Sequence, residues 1–258
     1  MKPIASHLIL RTQDGRPLAP GPTERRKFAS VVGRYAEEFD IFGFDNPREH
    51  GHVGAACAGS AVGRLSRNLK NALSWSLDLP CSFLRIEPRP ITERNHLLRT
   101  FHYILAQAER HGVDDDPLRE ASMLPDILGY RVLLPAKRVL VKVLGPKALD
   151  RRELLRNLGS LELRPGTDLR HLPDAAASAV GADWSGGRHP RLVAARRAAV
   201  GIGYQLNATT AQIAVLLDLS RTRVRALRAG EADDADLARA IRLQIGLREQ
   251  AGIRPTRL

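Results

Sequence analysis

Two stretches of the chain hold side chains whose types and spacing suit phosphoryl chemistry. The first, "FDNPREHGHVGAAC" (44–57), places His50 and His52 one residue apart. On a strand, residues i and i+2 point to the same side, so the two imidazoles would face one point. In a turn they would be two solvated histidines, and the pair alone does not decide between these. The second, "TERNHLLRTFHYILAQAERHG" (92–112), has Leu97, Leu98, Phe101, Ile104, Leu105 and Ala108 at helical spacing, with Thr92 suited to start a helix and Gly112 to end it. Its opposite stripe carries His96, Thr100, Tyr103, Gln107, Arg110 and His111. Tyr103 and Gln107, four apart, are neighbours on a helix surface. An amide oxygen beside two imidazoles leaves open positions on an ion and suits Mg²⁺ or Mn²⁺ more than a closed structural zinc. Such an ion would polarise a phosphodiester oxygen while the Tyr103 phenol attacks phosphorus. Among the other tyrosines, Tyr35 lies on the apolar face of its helix. Tyr130 and Tyr204 have no amide or carboxylate four residues on.

These residues need a scaffold, and the segment to about residue 115 reads as mixed α/β. "HLILRT" (7–12) and "FDIFGF" (39–44) have strand character, and "HVGAAC" suits a third strand. Between the first two, 23–39 reads as a helix, with Phe28, Val31, Val32, Tyr35 and Phe39 at helical spacing. "SAVGRLSRNLKNALSWSL" (60–77) reads as a basic amphipathic helix with Leu65, Leu69 and Leu73 on one face. "RIEPRPI" carries two prolines and reads as a loop. "KRVLVKVLG" suits a strand or a helix, and the small, Gly-containing stretch 174–190 reads as a linker.

From about residue 188 the pattern is helical. "TTAQIAVLLDLSRTRVRAL" (209–227) has the layout of a helix-turn-helix. Thr209 or Thr210 would cap the first helix, which holds Ile213, Ala214 and Leu217. Leu219 would point inward from the turn. Ser220 would cap a second helix with Val224 and Leu227 facing the core and Gly230 ending it. Arg221, Arg223, Arg225 and Arg228 would then project outward, suited to phosphates and to guanine edges in duplex DNA.

The bulk numbers agree with a polyanion partner. The chain has 258 residues, enough for two domains, with 40 Lys+Arg against 28 Asp+Glu and a net charge of +12. An Arg-rich codon bias would raise the charge everywhere. Between Ala195 and Arg228, however, six arginines face the single acid Asp218. Cys57 and Cys81 lie outside any C-x-x-C pair, which argues against a zinc cluster. No apolar run is long enough for a membrane span, and the N-terminus lacks a signal-peptide pattern, so a cytoplasmic location with no membrane partner is expected.

H-x-H on a strand, followed after a helix by Y-x-x-x-Q, resembles the single-tyrosine transposases of the HUH class, and most closely the REP-associated tyrosine transposases of bacteria. "HLILRTQDGRPL", "RRKF", "GRLSRNLKNAL" and "SMLPDILGYR" (122–131) are similar to that family's layout, and the resemblance spans residues 4 to 131. Some members carry an appended helix-turn-helix. The resemblance implies that His50, His52 and Gln107 hold the divalent ion. It also implies that Tyr103 cleaves single-stranded or hairpin DNA through a 5′-phosphotyrosine, freeing a 3′-OH, often in a homodimer. The implied fold is α+β, a small antiparallel sheet with helices of ferredoxin-like/HUH type (1–131). A connecting region and linker (132–187) and an all-α helix-turn-helix domain (188–258) follow. The alternatives are a domesticated, catalytically inactive DNA-binding protein and a helix-turn-helix transcription regulator. Only the first of the three uses His50, His52, Tyr103 and Gln107 together in chemistry.

Overall fold

Strand β1 (Ala5–Arg11) alternates as a half-buried strand should: Leu8 and Leu10 turn to one face, His7, Ile9 and Arg11 to the other. It pairs antiparallel with β3 (His50–Ala55), which in turn pairs antiparallel with β2 (Ile41–Asp45). The short edge strand β4 (Arg89–Ile91) completes a four-stranded sheet in the order β2-β3-β1-β4. The computed structural model describes residues 2–47, 49–112, 115–134, 136–145, 150–184, 189–229 and 234–255, without the Lys137 side chain.

Helix α1 (Pro22–Arg34) connects β1 to β2, and α2 (Ser60–Ser76) connects β3 to β4. The two pack together, α2 burying Leu65, Leu69 and Leu73. Helix α3 (Arg94–Leu105) lies on the other face. Glycines set both approaches. A Cβ on Gly51 would stand 3.0 Å from the Phe28 ring of α1, and one on Gly54 would stand 2.5 Å from Phe42 and 3.0 Å from Ile104 of α3. At position 54 glycine makes room first for the Phe42 ring of β2 and then for Ile104 of α3.

Several expectations change. "RPI" forms β4 rather than loop, because Pro90 sits on an edge strand, where a missing N–H costs no ladder bond. The helix expected over 23–39 ends at Arg34, and the chain reverses through Asp40 in a left-handed conformation (φ 48°). The single helix expected over 92–112 breaks at Ala106 into α3 and the one-turn α4 (Gln107–Arg110). "KRVLVKVLG" falls in a helix, α6 (Ala136–Leu144), which follows α5 (Leu124–Leu128) and precedes α7 (Arg151–Arg156). The stretch expected as a linker supplies most of α8 (Leu172–Ala179). Ala175, Ala176, Ala177 and Ala179 are all buried, so small side chains here signal close helix packing rather than flexibility.

Backbone contacts divide the chain into two compact units, Met1–Leu128 with Leu134–Gly159, and Gly129–Leu133 with Ser160–Leu258. The second unit is helical: α8, α9 (Pro190–Gln205), α10 (Thr210–Leu217), α11 (Arg221–Arg228) and α12 (Ala235–Gln250) enclose one apolar cluster. Two of its buried polar side chains find partners within the unit. Trp184 Nε1 donates to the Leu217 carbonyl at 3.1 Å, and Gln244 Nε2 donates to the Tyr130 carbonyl at 3.0 Å. Among the described residues no helix is long and apolar enough to cross a membrane.

Candidate active site

The face of the sheet under α3 carries His7 and Arg11 from β1, His50 and His52 from β3, and Asp45 from β2. The register sets Ile9 opposite His52 and His52 opposite Asp45. Period-two geometry therefore does what the H-x-H spacing requires, and both imidazoles face the helix. Their ring centroids are 4.7 Å apart. The Tyr103 ring comes down from α3 edge-on to two of the imidazoles, 5.7 Å from His52 and 5.9 Å from His7. His111 adds a fourth imidazole 5.3 Å from His50. The Arg110 guanidinium lies over the Tyr103 ring, 4.9 Å from its centroid, a cation–π contact on the solvent side.

His7 is the residue that the pattern of motifs does not reveal. Its Nε2 stands 3.0 Å from His52 Nδ1, and the two rings stack at 5.2 Å. His52 is 1% exposed, and its other nitrogen, Nε2, is buried with no hydrogen-bond partner. Burial, then the neighbouring His7 and His50, push the His52 imidazolium down to about 2. Burial, then Arg89 and His96, push His7 down to about 4. Burial and Arg11 lower His50 as well. All three are neutral at pH 7. An imidazole that resists protonation this strongly is a poor proton acceptor, but it keeps a lone pair for a cation.

Gln107 is also buried, at 1% exposure. The break at Ala106 turns it inward, and its amide nitrogen donates to the Tyr103 carbonyl at 2.8 Å. The structure thus brings together His7, His50, His52, Tyr103 and His111, and engages the Gln107 amide nitrogen with backbone. Among the described residues, no three His, Cys, Asp or Glu side chains are grouped so as to hold a metal ion. Asp45 is buried at the end of β2, with Oδ2 unpartnered. Burial raises its carboxyl well above the usual range, against the opposing pull of Arg119.

Comparison with protein-family models, curated proteins and solved structures finds no match.

In the second unit, α10 and α11 are joined by three residues, with Asp218 left-handed (φ 53°). Thr209 caps α10 in a reciprocal capping box with Gln212, and Ser220 caps α11 by accepting from the Arg223 amide at 3.1 Å. Ile213, Ala214, Leu217, Val224 and Leu227 are buried, and Leu219 packs partly against the same cluster. Arg221, Arg223, Arg225 and Arg228 are all exposed. The Arg228 guanidinium sits 4.3 Å from the Tyr204 ring centroid. Gly230, expected to end this helix, lies outside the described residues.

Proposed function

We propose that the first unit is a metal-dependent DNA-nicking and strand-transferring enzyme of the single-tyrosine HUH kind, and that the second docks it on DNA through a helix-turn-helix. The observation that carries this reading is the approach of the Tyr103 ring to His52 within 5.7 Å, across 51 residues of sequence. The β1-α1-β2-β3-α2-β4 order with the β2-β3-β1-β4 sheet supports a ferredoxin-like scaffold for it.

Three side chains would hold a divalent ion in this reading. In it His52 donates from Nδ1 to His7 Nε2, which fixes the tautomer and leaves a lone pair at the buried, unpartnered His52 Nε2. His50 presents the second imidazole. Gln107 completes the set through its amide oxygen while its nitrogen stays on the Tyr103 carbonyl. When bound, a Mg²⁺ or Mn²⁺ ion supplies positive charge to a phosphodiester oxygen. The chain's own residues do the rest. The α3 helix holds the Tyr103 ring against the imidazoles, with the Arg110 guanidinium over it. The Tyr103 oxygen then bonds to phosphorus as the 3′ oxygen leaves, giving a 5′-phosphotyrosine and a free 3′-OH. Exposed Arg221, Arg223, Arg225 and Arg228 are placed for duplex phosphates and bases.

The test is direct. Full-length protein incubated with single-stranded or hairpin DNA and Mn²⁺ should give a denaturation-resistant adduct that maps to Tyr103. No adduct with either substrate in Mg²⁺ or Mn²⁺ would favour a second reading, a DNA-binding protein without chemistry.

A further inference from the structure

On the opposite side of the first unit, the outer face of α2 forms one wall of a groove of about 840 Å³. Arg67, Lys70 and Asn71 line it from α2, and Arg85 lines it from the chain that leads into β4. One turn beyond Asn71, on the same side of the helix, stands Trp75, 83% exposed. Among the described Phe, Tyr and Trp residues it is the one exposed aromatic ring. A second depression of about 400 Å³ continues round the β4 edge, shares Arg85 with the first, and is lined further by Arg11 and Arg89. Arg11 stands opposite His50 across the β1–β3 pair, and Arg89 opposite His7 across the β1–β4 pair. The two depressions therefore form one basic track from Trp75 to the histidines. Among the described residues none of Arg67, Lys70, Arg85, Arg89 and Arg11 is paired with a carboxylate. Glu87 is the one acid along the path.

We infer that this track is a binding path for single-stranded DNA, with the phosphates along Arg67, Lys70, Arg85 and Arg89 and a base stacked on Trp75. It rests on the DNA reading above and names the strand's route to Tyr103. A cationic groove tracks a phosphate backbone of any sequence, and an exposed aromatic offers a face to any unstacked base. A duplex hides its base faces and cannot use Trp75 in this way. A membrane surface would call for an apolar helix face, whereas the outer face of α2 presents a single indole among polar and cationic groups.

The chain has two tryptophans, and Trp184 is 6% exposed, so emission quenched by DNA reports Trp75. Full-length protein is titrated with oligo(dT) spanning roughly 16 nucleotides, the upper range for one binding unit, at low salt without divalent ions. Oligo(dT) should quench the emission, Trp184→Phe should keep the quench, and Trp75→Ala should lose it. By anisotropy, Trp75→Ala should bind the same oligonucleotide about tenfold more weakly, and the Arg67→Glu/Lys70→Glu pair more weakly still. Unchanged affinity in both variants overturns the path, as does equal quenching by a duplex, or quenching by anionic vesicles but not by oligo(dT). Adduct formation at Tyr103 with Trp75 unquenched overturns the path and leaves the nicking reading standing. Failure to bind any oligonucleotide, duplex included, overturns both.

Discussion

His7 and His52 lie 45 residues apart in sequence and share a 3.0 Å hydrogen bond between ring nitrogens, so the first strand orients a side chain of the third. His7→Phe keeps the stacked ring and removes the hydrogen-bonding nitrogen. It should leave the fold intact and reduce adduct formation by roughly 10- to 100-fold, the usual effect of losing an orienting partner to a ligand. The loss should be relieved in part by higher Mn²⁺, which a merely structural defect would not allow. Titration of adduct yield against Mn²⁺ checks this.

Tyr103→Phe removes only the oxygen that would bond phosphorus. Tyr103 is half-buried, so the stability change should stay within about 0.5 kcal/mol. Adduct formation should vanish, while Phe at Tyr35, Tyr130 or Tyr204 leaves it in place. An adduct on the Tyr103→Phe protein, seen on a denaturing gel, would show that another residue is the nucleophile.

Changing either His50 or His52 to Ala should abolish nicking, but the two should differ in stability. His52 is fully buried and bonded to His7, so its loss should cost about 2 kcal/mol, and that of the half-buried His50 clearly less. Gln107→Ala should weaken metal use least, since a neutral amide is the poorest of the three proposed ligands. It should still destabilise by about 1 kcal/mol through the lost bond to the Tyr103 carbonyl. Thermal unfolding with and without Mn²⁺ separates these effects.

Acid should destabilise the metal-free protein well before the ordinary carboxylates titrate. His7 has a folded value of about 4 against an ordinary 6.5, so between these pH values the unfolded chain holds the extra proton. Stability is then full above about pH 6.5 and falls as pH drops toward 4, by on the order of 3 kcal/mol for His7 alone. His52 extends the same slope downward to about 2. Buried Asp45 and Asp116, whose values are raised, contribute with the opposite sign: what they add at acid pH is lost as pH rises. The His7→Phe protein should have a shallower dependence between pH 4 and 6.5, measured by urea unfolding.

In the second unit, Arg221→Ala with Arg225→Ala in the full chain should flatten the log–log salt dependence of duplex binding by about 2, if each touches one phosphate. Anisotropy across a salt series measures the slope. An unchanged slope would remove these two side chains from the interface.

The helical elements were largely legible, because apolar periodicity and caps are local. Thr209, Ser220, Val224 and Leu227 occupy the roles that their spacing suggests. Tyr103, His50 and His52 could be named because each sits in a short motif. His7 and Asp45 could not, since their relevance depends on which strand lies beside which, and strand order is not a local property. Once β1 is known to pair with β3, alternation alone separates His7 from Leu8 and Leu10. The inward turn of Gln107 was hidden for another reason: nothing in "YILAQAER" marks Ala106 as a break. Alanine-rich sequence in 174–190 misled in the opposite direction, since the same small side chains suit a linker and a tightly packed helix.

Residues 129–133 belong to the second unit although 134–159 return to the first. The Tyr130 carbonyl accepts from Gln244, and the Val132 amide donates to Ala179 at 2.8 Å. The backbone therefore passes between the units at three points, and no single cut yields two intact halves. Cleavage after Gly159 would leave a C-terminal fragment without Tyr130, whose side chain is fully buried. The helical unit is in this sense not a portable cassette. A gene fusion that moved residues 160–258 to another protein would carry a fold missing an interior piece, and an insertion that separated the units would have to respect three junctions at once.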